Sequence, residues 1–210
     1  MLQLNKCPHG FLKGIKMSKN IIFASGLLVA AVVSQCFTLA EAKTTEEQLW
    51  DALRSKNHFA LIRHALAPGT GDPQEFTLGR CETQRNLSPE GREQAKRIGD
   101  LFRVHGIEEA GVFSSEWCRC HDTAELLDLG PVNSLSALNS FFQDFEQRDT
   151  RTELLKLWLS RQAMNKPLVL VTHQVNITAL TGVFPSSGEI VIVRKDAQGE
   201  LEVLGSIETR

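Results

Sequence analysis

Short, almost wholly apolar runs alternate along this chain with stretches whose apolar residues recur at every third or fourth position. The runs 59–63 (FALIR) and 168–172 (LVLVT) predict strands buried on both faces, and 111–114 (GVFS) predicts another. Helical spacing predicts a helix over 44–56, where Thr45 can cap, Glu46 and Glu47 suit the first turn, and Leu49, Trp50 and Leu53 share a face. The clearest helix lies between Ser88 and Gly106. Pro89 suits its first position, and Ala95, Ile98, Leu101, Phe102 and His105 form one apolar stripe. Further helices are predicted from a Ser115 cap to about Asp128, over 150–164 with Leu154, Leu155 and Trp158 inward, and over 174–181. The segments 189–194 and 200–206, joined by Asp196-Ala197-Gln198-Gly199, predict a hairpin. Residues 68–87, rich in Gly, Pro and Asp, predict a long loop. This alternation implies an α/β fold, a three-layer α/β/α sandwich with a mostly parallel central sheet and an antiparallel edge hairpin.

Composition refines that picture at the N-terminus. Residues 18–42 begin with Lys19, continue through an apolar stretch from Ile21 to Val33, and end on Ala40-Glu41-Ala42. That is the layout of a secretory signal peptide, with Met17 as an alternative initiator. The domain reading is therefore a signal peptide over 1–42 and one folded domain over 43–210, in a periplasmic or secreted protein. An uncleaved anchor is the alternative, and it is the one membrane association the sequence suggests. Cleavage removes four lysines and one glutamate, taking the formal charge from −2 to −5. With no basic stripe, broad nucleic-acid binding is excluded. Cys81, Cys118 and Cys120 remain, and in an oxidising compartment they suggest one disulfide, from Cys81 to Cys118 or Cys120, with one thiol left over.

Chemistry gathers where the strands end. The first ends in Arg63-His64, the next in Ser114-Ser115 with Arg119 shortly after, and the strand at 168–172 in His173. Parallel strands would bring these ends to one edge, where such sheets bind ligands. Two arginines and two histidines would then meet near helix N-termini, which offer free N–H groups to an anion. No carboxylate among these residues neutralises them, so the cluster calls for a phosphate. No metal-ligand spacing is visible, and no metal or cofactor is expected.

At this point the chain resembles the histidine phosphatase (phosphoglycerate mutase-like) superfamily. The stretches "LIRHA", "NLSPEGREQA", "SSEWCRCHDTAEL" and "LVLVTHQVN" match its signature segments in order, over about residues 58–205. The likeness is nearest to small secreted or periplasmic members without a large cap. It implies His64 as nucleophile, with Arg63, Arg119 and protonated His173 holding the phosphoryl oxygens through a phosphohistidine intermediate. Arg85 is a further candidate phosphate ligand. The chain departs from the family at Ala65, where a glycine is usual, and at Ser140, where many members carry the glutamate that serves as general acid. Asp144 is taken as the acid in its place, with Glu146, Glu75 and Asp72 as alternatives. The expected function is metal-independent phosphomonoester hydrolysis of a small phosphorylated substrate, such as an envelope sugar phosphate. Phosphohistidine-protein phosphatase activity and non-catalytic binding of phosphate or a phosphoglycan are the alternatives.

Overall fold

The computed structural model describes residues 44–209; the predicted signal peptide and its cleavage site lie outside them. Helix α1 (Glu46–Arg54) opens on a capping box. Thr45 Oγ1 accepts from the Gln48 amide, and the Gln48 side chain returns the bond to the Thr45 N–H. Strand β1 (His58–Arg63) follows, then the long loop and helix α2 (Pro89–Val104), capped by Ser88 with Pro89 at its start. Next come β2 (Gly111–Ser114), α3 (Cys118–Leu126), β3 (Val132–Ser134), α4 (Arg148–Ser160), β4 (Leu168–Thr172) and α5 (Gln174–Thr181). The hairpin β5 (Ile190–Lys195) and β6 (Leu201–Ile207) ends the domain.

The six strands form one sheet in the order β3-β2-β4-β1-β5-β6. β1, β2, β3 and β4 run parallel, while β5 is antiparallel to β1 and to β6. Alternation along the strands sends side chains to two cores. Ala60, Ile62, Val169, Val171, Ile190 and Ile192 pack under α1, α2 and α3, against Trp50, Phe102 and Ala124 among others. Their neighbours Phe59, Leu61, Leu168, Leu170, Val191 and Val193 pack under α4 and α5, against Leu155, Leu159 and Ile177. The three-layer architecture with its edge hairpin is therefore as expected.

Two local expectations are corrected, and one strand is added. α3 starts at Cys118 with Trp117 at its cap position, although Ser115 Oγ accepts from the Trp117 amide at 3.3 Å as well as lying 2.9 Å from His173 Nε2. On α4, Leu155 and Leu159 are buried but Leu154 is 48% exposed, so the buried seam is turned from the one expected. β3, which no apolar run announces, pairs only with β2.

Register places the chemistry. Arg63 lies opposite Thr172 and Ser114 opposite Val171, so the chain leaves β1, β2 and β4 on one line. The His64 amide still bonds Thr172 O at 2.9 Å, and the Ser115 amide bonds Val171 O at 3.0 Å. The segment after His64 is then pressed onto α2. A Cβ on Gly91 would sit 2.0 Å from Leu66 O, a backbone atom that cannot rotate away. Gly91→Ala should therefore lower stability by about 1–3 kcal/mol, read from denaturant unfolding. It should also displace the turn after His64.

Candidate functional site

The three strand ends and the long loop enclose a cavity of about 480 Å³. Its lining includes Arg63, His64, Asp72, Arg85, Arg119, Asp144 and His173, with Phe142 and Phe184 among its apolar residues. Five of the residues singled out from sequence, His64, Arg63, Arg119, His173 and Arg85, are thus together, and Asp144 faces the same space. Glu75 and Glu146 are exposed and do not line it.

His64 is 2% exposed, and its Nδ1 lies 2.8 Å from Ala65 O. A carbonyl only accepts, so the proton is on Nδ1 and Nε2 keeps its lone pair, with no partner among the described residues. Burial, then the Arg119 charge, push its pKa down to about 3. This imidazole is neutral, with its Nε2 lone pair available. Its ring centroid is 5.6 Å from that of His173.

His173 is also buried, and burial followed by Arg119 moves its pKa well below the ordinary value. Arg119 Nη2 approaches its Nδ1 at 3.4 Å and can only donate. The ring proton therefore sits on Nε2 and is donated to Ser115 Oγ at 2.9 Å, whose own hydrogen faces Asn139 Oδ1 at 3.3 Å. Burial first and the Arg119 charge second thus favour the neutral ring of His173, whereas the sequence reading has it protonated around a bound phosphoryl group. The sequence places Ser115 at a strand end as a helix cap, and no local pattern brings Asn139, 24 residues on, beside it.

The larger correction concerns charge. A carboxylate does enter the cluster, from the long loop. Asp72 Oδ1 accepts from Arg119 Nη1 at 2.7 Å, and Oδ2 from Nη2 at 3.1 Å. It also accepts from Trp117 Nε1 at 3.0 Å and from the Arg85 amide at 3.2 Å. Burial acts to raise its pKa, but Arg119, Trp117 and the Arg85 amide together outweigh that and hold it below the usual carboxylate value. A carboxylate with four donors is a poor proton donor, which removes Asp72 as an acid. Among the described residues the Asp144 carboxylate has no hydrogen bond or ion pair, and it lines the cavity.

The remaining cations are held by carbonyls. Arg63 Nη1 donates to Pro185 O at 2.9 Å, and Arg85 donates to Gly71 O at 2.7 Å and to Ala67 O. The Nε atoms of Arg63 and Arg119 are buried with no hydrogen-bond partner among the described residues. Two unpaired guanidinium donors beside one cavity point to an anion that would fill them. The long loop is fastened to the start of α3 by the disulfide Cys81–Cys118, which selects one of the two expected pairings. Cys120 stays free and buried, and burial pushes its thiol up to about 12, so it is inert. Among the described residues no group of three or more His, Cys, Asp or Glu side chains is placed to hold a metal ion.

A family model described as the histidine phosphatase superfamily (branch 1) matches residues 59–167. No curated protein matches. Among solved structures, a phosphoserine phosphatase from Entamoeba histolytica superposes with a TM-score of 0.53 at 15% identity, covering 73% of this chain and 98% of its own. The protein histidine phosphatase SixA complexed with tungstate gives 0.51 at 14% identity, covering 72% and 97%. A mycobacterial glucosyl-3-phosphoglycerate phosphatase with VO3 gives 0.53 at 14%, covering 71% and 97%. At these identities the likeness is one of fold.

Depressed histidine pKa values have a sign that can be tested. As pH falls from the ordinary histidine value of 6.5 toward about 3, the unfolded chain takes up protons that folded His64 refuses. Stability is therefore complete above that window and lost through it. His64→Asn should lose stability less steeply than the wild type between those pH values, measured by urea midpoints. Parallel curves would contradict a neutral buried His64.

Proposed function

The chain belongs to the histidine phosphatase superfamily, and on that premise we propose that it hydrolyses phosphomonoesters through a phosphohistidine on His64. The observation that carries this reading is the neutral His64 imidazole. Its Nδ1–H is tied to Ala65 O and its Nε2 is free, beside two arginines with unpaired Nε donors. In the reaction, His64 Nε2 attacks phosphorus in line as the ester P–O bond breaks, and Asp144 gives its proton to the departing oxygen. Water then attacks the phosphohistidine while the Asp144 carboxylate takes its proton. The P–N bond breaks, phosphate leaves, and neutral His64 returns. Arg63, Arg85 and Arg119 offset the phosphoryl charge. A bound dianion would also favour the protonated form of His173, which then becomes a third kind of donor.

Two fold relatives are complexed with tungstate and with VO3, both oxyanions, which supports an oxyanion ligand here. The Cys81–Cys118 disulfide supports an extracytoplasmic setting, as does the signal pattern of residues 18–42. No helix among the described residues is long and apolar enough to cross a membrane. The leaving group would rest against Phe142 and Phe184 at the cavity mouth, room enough for a sugar ring.

Hydrolysis of p-nitrophenyl phosphate and of an alkyl phosphate by the mature domain tests the assignment. His64→Ala should lose at least about 10³-fold in kcat/KM on both. Asp144→Asn should lose about 10²-fold on the alkyl ester and much less on the aryl ester, whose leaving group needs no proton. Full activity in His64→Ala would sink the mechanism. Phosphate binding without turnover in the wild type would make the protein a binder, and turnover confined to phosphohistidine peptides would make it a protein phosphatase.

A further inference from the structure

The Asp72–Arg119 pair has a geometry that does more than balance charge. A guanidinium presents two useful edges: the end, made by Nη1 and Nη2, and the side, made by Nε and Nη2. Asp72 occupies the end in a two-point fork, at 2.7 and 3.1 Å. The second Nη1 hydrogen faces Arg85 O at 3.3 Å. What remains is the side edge. Its Nε is buried without a partner among the described residues, and the second Nη2 hydrogen has only a long contact of 3.4 Å to His173 Nδ1. That edge faces the His173 ring, which is also the neighbour of His64.

From this arrangement we propose that Asp72 is a positioning residue for the phosphate site. It clamps the end of Arg119 so that the side edge, Nε with Nη2, is presented to the phosphoryl group between His64 and His173. The proposal rests on the phosphatase reading for its kinetic form, but not for its binding form. Asp72 is itself held rigidly. It lies in the buried pair with a side chain 4% exposed, opposite an Arg119 side chain 3% exposed. Trp117, which donates to it, stacks on Phe76 of the same loop at 5.1 Å. Gln84, further along that loop, accepts from the Cys118 amide at 3.0 Å, one residue before Arg119. The Cys81–Cys118 disulfide closes the same junction. Clamp and guanidinium thus move as one body. A fork of this kind also raises the cost of any other rotamer of Arg119, because turning away would strand a buried carboxylate.

Double-mutant cycles with Asp72→Asn and Arg119→Ala test this, using kcat/KM on an aryl and an alkyl phosphate and calorimetric binding of inorganic phosphate. Asp72→Asn alone should lose about 10²-fold in kcat/KM, equally on both esters, and should weaken phosphate binding. In the Arg119→Ala background the same substitution should change either quantity by less than about threefold. Asp72→Glu, which keeps the charge with a longer arm, should recover part of the loss. Equal losses in both backgrounds would mean that Asp72 merely holds the loop, and would overturn the proposal. So would a loss confined to the alkyl ester, which would make Asp72 a proton donor. Tighter phosphate binding by Asp72→Asn would overturn it as well, since the carboxylate would then be a competitor for Arg119. If the wild type binds phosphate without turnover, the catalytic reading fails while the binding cycle still decides the role of Asp72.

Discussion

Gathering like charge out of water is the constraint on which the rest of this structure depends. Three guanidinium groups and two imidazoles lie around one cavity, and burial together with the Arg119 charge lowers the pKa of Arg63, Arg85 and both histidines. The fold answers in three ways. The histidines stay neutral, with tautomers fixed by Ala65 O and by the Arg119–Ser115 relay. Carbonyl oxygens of Pro185, Gly71, Ala67 and Arg85 take up arginine donors. One carboxylate, Asp72, meets Arg119 directly, while Glu189 offsets Arg63 at longer range. The balance still leaves positive charge and unpaired donors, which is the state a phosphoryl dianion completes.

The sheet makes that concentration of charge tolerable by fixing where each group stands. β1 lies inside the sheet, paired with β4 on one side and β5 on the other, so the backbone that carries His64 has no edge to fray from. Loop 182–189 comes in from the β5 side, and the Gly188 amide bonds Arg63 O at 3.0 Å. The position of His64 is a property of the core, whereas the shape of the cavity mouth belongs to loops. Activity can persist in such a scaffold while the leaving group it accepts changes.

Much of this was legible in the residue pattern. β1 and β4 announce themselves as buried runs, α1 and α2 carry caps and apolar faces, and parallel pairing follows from their alternation. The arginines and histidines could be placed at strand ends because register does the rest. What escaped was set by tertiary context. β3 holds three residues, Val132, Asn133 and Ser134, and is a strand only because β2 is beside it. Ser115 Oγ serves both the Trp117 amide and the His173 imidazole, and local pattern announces only the first. Asp72 was weighed only as an acid, since its contact with Arg119 spans 47 residues and depends on the path of an irregular loop. No periodicity encodes such a path.

The disulfide changes what that loop has to accomplish. Measured along the backbone, Asp72 and Arg119 are 47 residues apart. Measured through Cys81–Cys118, the tether shrinks to about ten residues, and the entropic cost of bringing the two together falls by about 1.4 kcal/mol. In the language of linked binding partners, the carboxylate is offered to its guanidinium at roughly tenfold higher effective concentration. The bridge thus acts as a local concentrator of negative charge at a site that would otherwise repel its own parts.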